Sequence, residues 1–320
     1  METPKQSHVT PLITMENFQA GHLKPLSYST EDICTAIINH LNRTKEEMGK
    51  TQLKSLERFQ YNIGIATTDP DSPEELKKWF DILNAMVFNN ILSGYCEIEF
   101  FPRTRSERSW VGCGCYSRPC FPGDNLDSRF RSEKLKIHIG IRKTVTHFFK
   151  SKSYTRRAYY YRSDLIHAML HAAFQLYACR CDNGCGEKLA ESYSRYGGHD
   201  MLWLAAAHAI EQADKVIVEG DNQKGDTKGV YLELHLNAAR SLVRCWDYIP
   251  PDIELRQVGL DIKAVRDELA DWRETNPSNH EAEQRARHLM KANRCLKEDW
   301  IVDRKEDCEL CESVQATMRA

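Results

Sequence analysis

The chain has 320 residues, 44 of them Lys or Arg and 46 Asp or Glu, for a formal charge of −2. That balance is not the basic one of a general phosphate binder. No apolar stretch approaches the roughly 18 residues of a membrane helix, so no transmembrane span is expected.

The length predicts about two domains, and 41% hydrophobic residues suffice for a sizeable core. The first residues, Met1 to His8, contain no apolar signal core, so an intracellular protein of the nucleus or cytoplasm is expected. There, most of the twelve cysteines are expected as reduced thiols or metal ligands rather than disulfides.

In chain order, residues 1–30 are polar, with scattered Pro and Gly, and are expected to be loosely ordered. Residues 31–63 carry a helical pattern at Ile33, Ala36, Ile37, Ile38 and Leu41. It runs into a charged helix with Leu53, Leu56 and Phe59. Thr68 to Pro73 is turn chemistry followed by a helix start. A helix is expected near 74–92, ending in Ser93-Gly94. Three short strands follow: Cys96 to Phe101, Val111 to Tyr116, and Leu135 to Ile141, the last alternating apolar and polar with period two. Another helix carries Leu165, Ile166, Met169, Leu170, Ala173, Phe174 and Tyr177 on an apolar face. Met201 to Ile210 is a further apolar helical run. Residues 220–229 form a glycine-rich linker without the ending of a phosphate loop. Val230 to Trp246 reads as an amphipathic helix stopped by Pro250-Pro251. Residues 253–274 and 279–299 read as charged helices.

The helix after the strands carries the chemistry. Its residues 164–174 read Asp-Leu-Ile-His-Ala-Met-Leu-His-Ala-Ala-Phe. His167 and His171 are four apart and project from one helical face. That is the spacing of H-E-x-x-H, the zinc grip of a metalloprotease, but Ala168 stands where the general base belongs. A lone pair of this kind is a weak signal in a chain with twelve histidines. Catalytic zinc needs a third protein ligand. His199, after Gly197 and Gly198 and just before the Met201 run, is the candidate. His208 competes, but it sits mid-helix among alanines, where a structural role is expected.

On these residues the chain resembles the SprT-like zincins, a family that includes the Spartan type of DNA–protein crosslink protease. His167, Ala168 and His171 fall on the family's first motif. Gly198, His199, Asp200 and Trp203 fall on the second, with Asp200 in place of a glycine. The preceding order of helix and strands also agrees, and the likeness covers roughly residues 75–215. The resemblance implies an α+β fold: a zincin-like SprT domain, with a small three-stranded sheet on helices and helical extensions at both ends. It divides the chain into an N-terminal extension at 1–72, a zincin-like domain at 73–218 and a C-terminal helical extension at 219–320. It implies Zn²⁺ held by His167, His171 and His199, with water as the fourth ligand, and a link to DNA repair.

An alanine methyl cannot accept a proton, and the missing shuttle is typically worth about 10²–10⁴-fold in rate. The expected function is therefore zinc binding without proteolysis. Two readings compete with it. One is an active metallopeptidase that uses a substitute carboxylate (Asp164, Glu187, Glu191 and Asp200 are nearby in sequence), or a catalytic knockout of such an enzyme. The absence of a tag or fusion scar favours a natural origin for Ala168. The other is a structural zinc or cysteine module that binds protein.

Two cysteine clusters, Cys113, Cys115 and Cys120, and Cys179, Cys181 and Cys185, offer a second metal site within or between them. Neither has zinc-ribbon spacing. Cys308 and Cys311 form a lone C-x-x-C without a strand–helix frame. Lys150, Lys152, Arg156 and Arg157, interleaved with Tyr154, Tyr159, Tyr160 and Tyr161, offer nucleic-acid contacts. Packing of the zinc helix explains the tyrosines better. Arg103, Arg105 and Arg108, and Arg129, Arg131, Lys134 and Lys136, are further basic stretches. A protein or peptide partner and DNA are thus the partners considered, and no membrane.

Overall fold

A computed structural model describes residues 11–64, 69–101, 115–120, 135–143, 154–181, 185–196 and 198–219, with isolated positions 256, 263, 266 and 267. It is a mixed α and β chain: α1 (Thr30–Leu41), α2 (Lys50–Gly64), α3 (Pro73–Val87), β1 (Cys96–Phe101), β2 (Cys115–Cys120), β3 (Lys136–Arg142), α4 (Tyr154–Tyr177), α5 (Cys185–Tyr196) and α6 (Met201–Glu219). The elements from α1 to the start of α5, together with α6, form one compact unit. Residues 190–200, the end of α5 and the turn after it, group with a second.

Local chemistry starts and stops these helices. Ser29 caps α1 by accepting from the Asp32 amide, and Glu31 and Asp32 place negative charge at its positive end. Ser72 caps α3 in the same way through the Glu75 amide, with Pro73 at the first helical position. α3 ends at Val87, five residues before the expected end. Asn89 and Asn90 take positive φ values of 45° and 63°, which no helix continues. The Asn84 side chain holds the turn, accepting from the Leu92 amide and donating to Ser93 Oγ.

β3 lies in the middle of the sheet. It pairs parallel with β1, Ile98 opposite Ile139, and antiparallel with β2, Ser117 opposite Ile139. Ile137, Ile139 and Ile141 are fully buried, while Glu97 and Glu99 of β1 face solvent. β2 spans 115–120, shifted from the expected Val111–Tyr116, and residues 111–114 lie outside the described residues. α4 packs on β2 and β3, α3 on β1, α2 on α3, and α1 on α6.

α4 is the central helix. Leu165, Ile166, Ala168, Met169, Leu170, Ala172, Ala173 and Leu176 are all wholly enclosed. A helix buried on more than one face needs apolar residues beyond a single stripe, and the run of alanines supplies them. Its N-terminal half is tied to the start of α3. Tyr161 Oη donates to Asp71 Oδ1 at 2.6 Å, and Arg157 pairs with Asp71 at 3.4 Å.

The expectation that residues 1–30 are loosely ordered is corrected for the described part, 11–29. Phe18, Leu23 and Tyr28 are buried there. The amides of Leu26, Ser27 and Tyr28 donate to Leu176 O and Tyr177 O, and the Cys179 amide donates back to Tyr28 O at 2.7 Å. Burying three large apolar side chains offsets the entropy of ordering the segment. Among the described residues no helix is long and apolar enough to cross a membrane. The expected helices at Val230–Trp246, 253–274 and 279–299 lie outside the described residues, the four isolated helical positions apart.

Candidate metal centre

α4 presents His167 and His171 one turn apart. Their Nε2 atoms are 3.2 Å from each other. Two nitrogens bound to one tetrahedral zinc at about 2.0 Å stand about 3.3 Å apart. The pair is therefore already at the separation that a shared ion needs. His199 is buried, and the ligand atoms of His167, His171 and His199 all lie within 4.8 Å of one another.

The chain reaches His199 by a short route. α5 ends at Tyr196, and the Gly198 amide donates to Ser192 O at 3.0 Å. Gly198 has φ +81°, a conformation that side chains rarely adopt. The glycine thus lets the chain turn between α5 and α6 and sets His199 just before Met201. Between His171 and His199 stands a full helix, α5, which the sequence pattern does not mark. Its sequence, Cys-Gly-Glu-Lys-Leu-Ala-Glu-Ser-Tyr-Ser-Arg-Tyr, has few apolar residues to mark it. The nearest signal is Glu187 in the first turn, where a helix favours negative charge.

Trp203 of α6 walls the two α4 histidines. Its ring lies 4.7 Å from His167 and 5.1 Å from His171, stacked on the latter at 27°, and it is almost fully buried. Such an aromatic wall restricts the orientations open to the imidazoles. Burial pushes the His167 ring down to about 4. It is therefore neutral at pH 7, the state that can ligate a metal. Ala168, the next residue, is wholly enclosed, and its methyl offers no proton acceptor. His208 lies on α6 and is not part of the histidine group.

Of the six cysteines considered, three come together. The sulfurs of Cys179, Cys181 and Cys185 lie within 4.8 Å of one another. Burial raises the Cys185 thiol to about 12, with Cys181 and Cys179 adding to the shift. Cys179 is raised as well, first by burial. Cys115 and Cys120 are the two ends of β2. A six-residue strand separates their Cα atoms by about 17 Å, too far for one shared ion, and Cys113 lies outside the described residues.

Of the basic residues considered for nucleic acid, Arg157 is engaged with Asp71. Lys150 and Lys152 lie outside the described residues, as does the side chain of Arg156. Lys136 donates to Gly94 O at 2.6 Å. The basic stretches at 103–108 and 129–134 also lie outside them. Tyr161, by contrast, packs edge-on against Phe100 with ring centroids 5.0 Å apart, a packing role.

Comparison of the chain with protein-family models, with curated proteins and with solved structures gives no match. The residues of the site therefore carry the functional reading by themselves.

Proposed function

We propose that this chain is a metal-binding protein of the SprT-like zincin type that holds zinc at His167, His171 and His199 and does not hydrolyse peptides. The observation that carries the reading is the histidine group: two Nε2 atoms 3.2 Å apart on α4, with His199 within 4.8 Å. Three imidazole nitrogen donors and no carboxylate suit zinc better than magnesium or calcium. Three protein ligands leave a tetrahedral ion one further position.

Bound zinc would polarise a carbonyl and acidify water. What this chain's own residues contribute is the grip and the Trp203 wall. They contribute no proton acceptor at position 168. The function left to such a site is recognition: zinc offers an open position to a carbonyl or carboxylate of a partner.

The test is Ala168→Glu. The wild-type chain, loaded with zinc, is expected to leave an unfolded protein substrate intact. The variant is expected to cleave it, with a gain within about 10²–10⁴-fold over the wild type. Zinc-dependent cleavage by the wild type at the variant's rate would overturn the reading in favour of a substitute carboxylate. Thermal melts of both proteins belong with the assay, because position 168 is enclosed and a buried carboxylate is costly. A folded variant that stays silent would mean that more than the base has been lost from the site.

A further inference from the structure

The Cys179, Cys181 and Cys185 cluster lies past the end of α4 and at the start of α5, apart from the histidine group. We propose that these three thiols form a second metal site, thiolate in character, that binds zinc independently of the histidine site.

Geometry is the first support. The three sulfurs lie within 4.8 Å of one another, and no disulfide joins them. Zinc–sulfur bonds of about 2.3 Å place tetrahedral thiolates about 3.8 Å apart. An ion thus needs the sulfurs to close by no more than about 1 Å, within the reach of a side-chain rotation.

Construction of the loop is the second. Residue 179 is held at its backbone: its amide donates to Tyr28 O at 2.7 Å, beside the bridge between Tyr28 and Ala178. The Arg180 guanidinium turns back to Gln175 O at 2.9 Å, capping the last turn of α4. The Gly186 amide donates to Cys181 O at 3.1 Å, which ties the start of α5 to residue 181. A Cβ on residue 186 would meet Arg180 O at 3.1 Å and Cys181 O at 3.4 Å. Glycine at 186 lets the start of α5 approach the end of α4 so closely, and that approach brings the thiols together.

Ligand chemistry is the third. A metal ion would take the three sulfurs as thiolates, displacing their protons. Soft sulfur donors select zinc, cadmium or copper(I) over magnesium, calcium or manganese. Cys179 is buried while Cys181 and Cys185 are half-buried, so the cluster has one side open to solvent, which can supply the fourth ligand.

The site would fix the junction between α4, which carries His167 and His171, and α5, whose end leads to His199. The experiment is cobalt substitution of the reduced chain of 320 residues. Thiolate-to-cobalt charge-transfer absorption in the near ultraviolet is expected in the wild type and in His199→Ala. It is expected to be lost in the double variant Cys181→Ser/Cys185→Ser, which keeps the metal of the histidines. A second measurement uses only the wild type. Zinc should protect Cys179, Cys181 and Cys185 from alkylation, mapped by peptide mass, while Cys34 and Cys96 react equally with and without it. Absence of the charge-transfer band in the wild type overturns the proposal. So does a band of equal strength in the double variant, or alkylation of the three thiols at the same rate with and without zinc. Because His199→Ala removes only the other metal, failure of one site is read separately from failure of the other.

Discussion

At the scale of single residues, burial decides which histidines are available for chemistry. His40 is fully buried on α1, and its Nε2 donates to the Met86 carbonyl at 3.1 Å. Burial first, then the nearby Arg43 charge, lowers it from 6.5 to about 4, against the carbonyl bond. The folded chain therefore keeps His40 neutral, whereas the unfolded chain binds a proton below about pH 6.5. Stability is complete above that pH and is lost as the pH falls towards 4, by up to about 3 kcal/mol. Urea midpoints measured between pH 7 and 4 should fall less for His40→Gln than for the wild type; parallel curves would contradict this. His40 carries no motif, and its role was not legible in the sequence. His167, His171 and His199 are legible as a candidate group because a zinc grip would need that helical spacing and a third histidine after a glycine turn. Ala168 is legible only against that spacing, as a methyl where a carboxylate is expected.

At the scale of elements, strongly patterned segments read correctly and weakly patterned ones did not. The start of α3 follows from Ser72-Pro73, and β1 and β3 lie within a residue of their expected bounds. The end of α3 is set by Asn89 and Asn90, whose left-handed backbone no apolar periodicity reveals. α5 is polar over most of its length, so nothing distinguishes it from a loop until the Gly186 amide and its close approach to Arg180 are seen. The junction of α3 and α4 also depends on partners distant in sequence. Asp71 accepts from Tyr161 at 2.6 Å and pairs with Arg157. Tyr161→Phe leaves the buried ring against Phe100 and removes only the hydroxyl. It should lower unfolding stability by about 1.5–3 kcal/mol, the usual worth of a hydrogen bond to a charged group. An unchanged denaturation midpoint would show that the tie between the helix starts contributes nothing.

At the scale of the molecule, the segment before α1 is part of the core. Phe18, Leu23 and Tyr28 are buried, and the backbone of 26–28 is bonded to the end of α4. Polar composition hid this, because three apolar residues spaced along 11 positions match neither a helical nor a strand period. The same contacts hold Cys179 in place and so link the N-terminal segment to the proposed thiolate site. In the proposed function α4 and the turn before α6 together grip a metal ion. Elemental mass spectrometry of zinc per chain, on the wild type and on His199→Ala, tests it most directly. The variant is expected to carry one zinc fewer than the wild type and to retain the metal of the cysteines. Equal zinc in the two proteins, or none in either, would contradict it.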